Sequence, residues 1–384
     1  MHLARPARSR ARRASTYCSQ GRLVLARIRL HDIAHSYIPN PVKPADFALQ
    51  QLDLTWDDGG AYALLGPSGS GKSTLLNILS GLVRPSHGRL LFDDVDVTDT
   101  DTRSRNIAQV FQFPVIYDTM TVFENLAFPL RNRGVNAVAI RKRVDQVAAI
   151  LDLTGDLKNR ASGLTADTKQ RISMGRGLVR TDVAAILFDE PLTVIDPALK
   201  WQLRRKLKQI HHELEVTLIY VTHDQTEALT FADRVVVMDH GAVLQQGTPQ
   251  ELFENPQHVF VGHFIGSPGM NLMPCTMDGS AAVIDMQRVA LLPERIAGSR
   301  AGQMTLGIRP EFVSLFDPGN AALLHVSVEE VEPLGGHQLI HARLGDTRIA
   351  IKAEPEIGVA PGTRLAVWLP RAHIKLYSND RLVA

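Results

Sequence analysis

The chain has 384 residues, 45% hydrophobic and 21% charged, the composition of a globular protein long enough for two or three domains. No run of 18 apolar residues occurs, which excludes a membrane-spanning helix. Cys18 and Cys275, the two cysteines, lie far apart; they exclude a disulfide framework and fit a reducing cytoplasm. The net charge of +2 conceals a basic leader: residues 1–30 hold eight arginines and no acid, and the remainder carries 34 basic against 40 acidic residues.

Residues 1–23 read as a basic disordered extension. A tail for nucleic acid or anionic lipid, or a translation start near Val24, are the alternatives. Arg22, Arg27 and Arg29 interrupt the apolar core that a signal peptide needs. Residues 24–60 alternate apolar and polar positions around a break at Asn40-Pro41, as paired strands do. Next comes a short apolar run, Tyr62 to Leu65, then Gly66-Pro67-Ser68-Gly69-Ser70-Gly71-Lys72-Ser73-Thr74, then a helix-like stretch from Leu75.

That order of strand, glycine-rich loop and helix cradles a polyphosphate. The glycines let backbone N–H groups turn inward, and the helix N-terminus adds partial positive charge. Lys72 can reach the β- and γ-phosphates, and the Ser73 hydroxyl can ligate Mg²⁺. The loop therefore predicts binding of a nucleoside triphosphate.

Residues 113–180 read as more helical, with Val144, Val147, Ile150 and Leu151 at helical spacing. Apolar runs at Ala184–Phe188, Thr217–Val221 and Val235–Met238 read as buried parallel strands. Leu199, Leu203, Leu207, Ile210 and Leu214 form a stripe that buries one helix face, and the basic residues around it (Lys200, Arg204, Arg205, Lys206 and Lys208) form a solvated face. After Gly266-Ser267-Pro268-Gly269 the texture changes to short strands separated by turn signals, a small all-β, barrel-like module.

The chemistry depends on what accompanies the loop. Asp189 and Glu190 end a buried strand, where Asp189 can hold Mg²⁺ and Glu190 can act as general base on the attacking water. His223 ends the next strand and can contact the γ-phosphate. Gln112 can ligate Mg²⁺ or position water, and Tyr37 is a candidate to stack on adenine. His211 and His212 read as structural.

Together with the loop Val194-Ile195-Asp196, these residues resemble the ATP-binding subunits of ABC transporters over residues 24–262. Gly307-Ile308-Arg309-Pro310-Glu311 resembles the regulatory β-barrel domain of the ATPases that power sugar and glycerol-phosphate importers. Such a resemblance implies an α/β ABC ATPase domain at 24–266 with a helical subdomain at 113–180, and an OB-like β domain at 267–384. It also implies ATP and Mg²⁺ as cofactors and two ATPs sandwiched in a head-to-tail ATPase dimer. Two permeases would be driven by that dimer, with a periplasmic binding protein as indirect partner, at the cytoplasmic face of the inner membrane. The stretch near Gln112–Arg131 would receive a permease, and no nucleic-acid partner is expected.

One element departs from the family pattern. The Leu-Ser-Gly-Gly-Gln signature, which presents amides to the opposite subunit's phosphate, is replaced by Leu164-Thr165-Ala166-Asp167-Thr168 before Lys169-Gln170-Arg171. A carboxylate at Asp167 facing that phosphate at about 4 Å would be repelled by about 4 kcal/mol per unit charge pair, whereas one turned to solvent would cost far less. Altered signature, Gln109–Tyr117 and Gly262–Asn271 together resemble the paired ATPases of bacterial glycerol-type uptake systems, in which two different ATPase subunits serve one transporter. A heterodimer is the first reading and a homodimer the second. A nucleotide switch, or an ABC protein acting on nucleic acid, are the competing classes. Intact hydrolytic residues oppose a pure switch, and neither tandem ATPase domains nor a long coiled coil support the nucleic-acid class.

Overall fold

The computed structural model describes residues 26–180, 182–214, 216–293 and 303–383. The expected extension at 1–23, with Cys18, lies outside the described residues. The chain divides into two compact units, Met1–Val243 and Leu244–Ala384.

In the first unit the strands are β1 Ile28–His35, β2 Leu49–Trp56, β3 Ala61–Leu65, β4 His87–Phe92, β5 Val95–Asp96, β6 Ile107–Val110, β7 Ala185–Asp189, β8 Leu218–Thr222 and β9 Arg234–Asp239. Strand β10, Ala242–Gly247, follows at the turn His240-Gly241, where both residues take positive φ. Helices are α1 Lys72–Ser80, α2 Val122–Arg131, α3 Ala137–Ile150, α4 Ala166–Leu178, α5 Pro197–Leu214 and α6 Gln225–Phe231.

Two sheets result. One is antiparallel in the order β2-β1-β4-β5; the other has the order β10-β9-β3-β8-β7-β6. Within the second sheet β3 pairs in parallel with β8 and β9, and β7 pairs in parallel with β6 and β8. Every residue of β3 and β8 is buried, which is why both read as unbroken apolar runs rather than alternating ones. Since β3, β7 and β8 are parallel neighbours, their C-terminal ends deliver the phosphate loop, Asp189 and His223 to one edge of the sheet.

Three α-helices lie within 113–180, each started by a side-chain cap: Thr121, Asn136 and Thr165. The α5 stripe needs one correction. Leu203, Leu207 and Ile210 are buried, but Leu199 stands in the first turn of the helix and is exposed. The side chain of Leu214 lies outside the described residues, as does that of His212. His211 is structural: it is buried, with Nε2 2.8 Å from the Gly59 carbonyl. Several basic residues of α5 are engaged rather than merely solvated, Lys206 with Asp152 and Lys208 with the Thr230 carbonyl.

The second unit begins within β10, and its first helices are α7 Pro249–Glu254 and α8 Val259–Phe264. Strands β11 Asn271–Asp278, β12 Ala281–Ile284, β13 Gln287–Ala290, β14 Gln303–Ile308, β15 Ala321–Pro333, β16 Gln338–Leu344, β17 Thr347–Ala353, β18 Arg364–Pro370, β19 Lys375–Ser378 and β20 Arg381–Leu382 follow. They form two sheets, β13-β12-β11-β14-β19-β20 and β17-β16-β15-β18, around one apolar core that includes Leu306, Leu324, Ile340, Ile351 and Val367. Asn271 ties the sheets together by exchanging two hydrogen bonds with the backbone of Ala350, at 2.8 and 2.7 Å.

Arg309 explains the Gly-Ile-Arg-Pro-Glu stretch. Its buried guanidinium donates to the carbonyls of Phe253, Gly262 and Ile265 and lies over the Phe253 ring at 3.9 Å. Those acceptors sit at the ends of α7 and α8, so one side chain satisfies carbonyls that the helices leave open. Burial lowers the Arg309 pKa to about 10, which leaves it charged at neutral pH.

Candidate nucleotide site

The loop after β3 is shaped by close backbone approach. Gly71 takes φ +95°, and a Cβ there would lie 2.5 Å from the Ala48 carbonyl oxygen; a Cβ on Gly66 would strike the Met238 carbonyl. Helix α1 begins at Lys72, so its unpaired amides face the concave side of the loop. Lys72 folds back over that concavity, donating at 2.8 Å to the carbonyls of both Gly66 and Pro67. Burial pushes the Lys72 pKa down, and the charges of Glu190 and Asp189 oppose that shift. A polyphosphate is a stronger partner for this ammonium than two neutral carbonyls. Tyr37 is exposed beside the loop helix, its hydroxyl 3.4 Å from Thr74 Oγ1 and its ring edge-on to His35.

Two carboxylates close the other side. Ser73 Oγ donates to Asp189 Oδ1 at 3.4 Å, so the hydroxyl and the carboxylate converge. Burial raises the Asp189 pKa, the neighbouring charge of Glu190 adds to the rise, and Ser73 and Lys72 work against it. Glu190 takes φ +45°, uncommon for a residue with a Cβ. Its N–H donates to Val221 O at 3.0 Å, and its Oε1 lies 3.1 Å from His223 Nδ1. Thr193 Oγ1 holds the other oxygen at 3.3 Å.

Behind His223 lies a buried group that the sequence reading missed. Glu227 accepts from Thr222 Oγ1 at 2.8 Å and from Tyr220 Oη at 3.0 Å, fixing the end of β8. Burial, then the charge of Glu227, hold the Tyr220 pKa well above its usual value, so the phenol keeps its donated proton. A glutamate in the first turn of a helix reads as an ordinary dipole partner, which is why its pattern gave no signal.

Gln112 follows β6 in a bend and is half-buried; among the described residues no hydrogen bond links it to the groups above. The altered signature stands at the start of α4. Thr165 caps the helix by accepting from Thr168 N at 3.3 Å, and the Leu164 amide bonds to Ala161 O. Asp167 finds its partner within its own chain. It turns along its own helix to Arg171, 2.9 Å from Nη2 and 3.1 Å from Nε, and both side chains are largely buried. Arg171 also donates to the carbonyls of Leu151 and Asp152, so its position is fixed independently of Asp167. Asp196 accepts from Ala198 N at 2.9 Å and starts α5. Thus the structure brings the phosphate loop, Tyr37, Asp189, Glu190 and His223 together, and places Leu164–Thr168 and Asp196 at two other helix starts.

A glycine loop between a buried strand and a helix, faced by two strand-end carboxylates and a histidine, defines a phosphate-loop nucleotide hydrolase. Comparison with known proteins narrows this. The ABC transporter family model matches residues 49–193, the MalK OB fold domain 266–313 and the TOBE domain 306–376. An sn-glycerol-3-phosphate import ATP-binding protein UgpC from Yersinia pestis bv. Antiqua is 38% identical over 93% of this chain and 98% of its own length. Its namesake from Escherichia coli O157:H7 is 39% identical over 86% of this chain and 93% of its own. Among solved structures, cbiO1 from Clostridium perfringens, part of the ABC transporter complex cbiONQ, is 28% identical over 59% of this chain and 90% of its own, with TM-score 0.53. The ATP-binding cassette MJ1267 shares the fold at 22% identity and TM-score 0.50. The chain belongs to the ATP-binding subunits of ABC importers, ATPases that couple ATP hydrolysis to solute import. Among the described residues no helix is long and apolar enough to cross a membrane.

Proposed function

We propose that this chain supplies one half of each ATP site in a head-to-tail ATPase dimer that drives import of a glycerol phosphate or related small polyol. The observation that carries the catalytic part is the Glu190 carboxylate held 3.1 Å from His223 Nδ1, beside the Gly66–Thr74 cradle. Gly66, Pro67, Ser68, Gly69, Ser70, Gly71, Lys72, Ser73 and Thr74 bind the phosphates, and Tyr37 stacks on the base. Glu190 takes the proton of the attacking water, while His223 and Thr193 hold the carboxylate at the angle it needs.

Ser73 and Asp189 fit Mg²⁺, because a hydroxyl and a carboxylate converge there and the carboxylate's charge is costly without a cation. Gln112 completes that oxygen-donor set. When bound, the ion neutralises charge on the phosphates.

Leu164–Thr168 and Asp196 serve the neighbouring subunit's nucleotide. Arg171 neutralises Asp167 within the chain, which supports a usable signature and therefore either a homodimer or a pairing with a second ATPase subunit. Two permeases, fed by a periplasmic binding protein, complete the transporter at the cytoplasmic face of the inner membrane. The solute assignment rests on the UgpC relatives alone. Uptake of labelled sn-glycerol-3-phosphate, and separately of glycerol, into cells lacking this chain tests it. Complementation by the wild-type chain but not by Glu190→Gln is the expected result. Undiminished uptake of both solutes in the deletion strain would remove the solute assignment.

A further inference from the structure

We propose that Gln170 is a positioning residue that ties the segment after Gln112 to the catalytic carboxylate. This deepens the function proposed above and rests on Glu190 as the base. Gln170 lies on α4, six residues into the stretch that opens with Leu164, and is fully buried. Its single amide nitrogen donates to two carbonyls from separate parts of the chain: Phe111 O at 3.2 Å and Pro191 O at 3.0 Å. Phe111 directly precedes Gln112, and Pro191 directly follows Glu190. One side chain therefore joins the signature helix, the approach to Gln112 and the residue that directly follows the base.

Neighbouring residues of α4 grip the same segment farther along. Ser173 Oγ accepts from Val115 N at 3.3 Å, Arg176 Nη1 donates to Val115 O at 3.1 Å, and Lys169 Nζ donates to Asp118 at 2.9 Å. Arg176 also covers the Tyr117 ring at 4.6 Å. These contacts fasten 115–118 to α4, and Gln170 alone among them reaches onward to the Pro191–Leu192 peptide, which directly follows the Glu190 unit. Displacing 111–118 relative to α4 would therefore pull on both bonds of Gln170 and shift the backbone that sets the positive φ of Glu190.

The other end of the amide argues against simple packing. Gln170 Oε1 is buried and has no hydrogen-bond partner. Leaving a buried acceptor unpaired costs stability that an apolar side chain of equal size would not incur. The two donated bonds also settle the amide orientation, since the flipped form would set oxygen against two carbonyl oxygens.

The test uses the transporter complex purified from its own cells through a tag on this chain, with Gln170→Met as the near-isosteric variant and Gln170→Leu as the second. Magnesium-ATP affinity, KM, kcat and melting temperature are measured for each, beside Glu190→Gln. The positioning role requires affinity and KM within about twofold of wild type and kcat lowered about tenfold or more, since small misplacement of a base is costly. A kcat within twofold of wild type in a folded Gln170→Met complex overturns the proposal. So does a parallel loss of affinity and melting temperature with unchanged turnover per bound nucleotide, which is the mark of packing alone. Glu190→Gln separates the two layers. If it is silent while Gln170→Met runs normally, only the Gln170 role fails; if Glu190→Gln itself turns over normally, the base assignment fails first.

Discussion

At Asp167 a single carboxylate decides whether the altered signature is damaged or merely different. A residue met as a charge in a phosphate-facing loop is, in three dimensions, the partner of Arg171 four residues on, with both side chains shielded. Asp167→Gly is therefore expected to change turnover of the assembled transporter by less than about threefold, while losing about 1 kcal/mol of stability to glycine in the first turn of α4. Arg171→Leu is the damaging change. It strands a shielded carboxylate at the start of α4 and should cost about 3–5 kcal/mol, the range for breaking a buried pair, visible as a lowered melting temperature. Asp189 behaves differently, because burial and Glu190 raise its pKa above the unfolded value near 3.8. The penalty for its charge is fully present above the folded pKa and disappears as pH falls below the unfolded one. Asp189→Asn should thus raise the melting temperature of the nucleotide-free chain at pH 7. The gain should shrink toward pH 4, and magnesium-ATP should stabilise the wild type more than the variant.

Elements differ in how plainly they were written in the sequence. β3, β7 and β8 were legible because strands buried on both faces carry near-continuous apolar runs, here ending at Asp189 and Thr222, and the glycine spacing of the loop follows from where backbones must touch. Leu199 was misread because periodicity says which face a residue occupies, not whether the core extends to that turn. Glu227 and Gln170 were missed as site residues for another reason. Their partners, Tyr220 and Thr222 for one, Phe111 and Pro191 for the other, are set by tertiary packing, and for Gln170 they are backbone carbonyls that no side-chain pattern marks. Arg309 belongs with them: its motif was visible, its purpose was not. Replacing it by Met takes the guanidinium donor from the carbonyls of Phe253 and Ile265, while Gly262 O keeps its bond from Met270 N, and should cost about 2–3 kcal/mol, read by calorimetry as early unfolding of 244–384. Arg309→Lys should restore only part of that loss, because one ammonium cannot span acceptors that a planar guanidinium reaches together.

For the whole molecule, the residues assigned above to the two halves of a shared nucleotide site lie in separate places. The phosphate loop, Asp189, Glu190 and His223 converge at the ends of adjacent parallel strands, whereas Leu164–Thr168 and Asp196 begin helices elsewhere in the same unit. On the function proposed above, a neighbouring subunit completes the nucleotide site, and transport follows from that completion. The most direct test is ATP turnover by the transporter purified through a tag on this chain, wild type against Glu190→Gln, with bound nucleotide measured in parallel. Glu190→Gln should bind ATP as the wild type does and lose about 10²-fold or more in turnover. Turnover of Glu190→Gln equal to wild type would contradict the assignment of this chain's half-site as the one that performs hydrolysis.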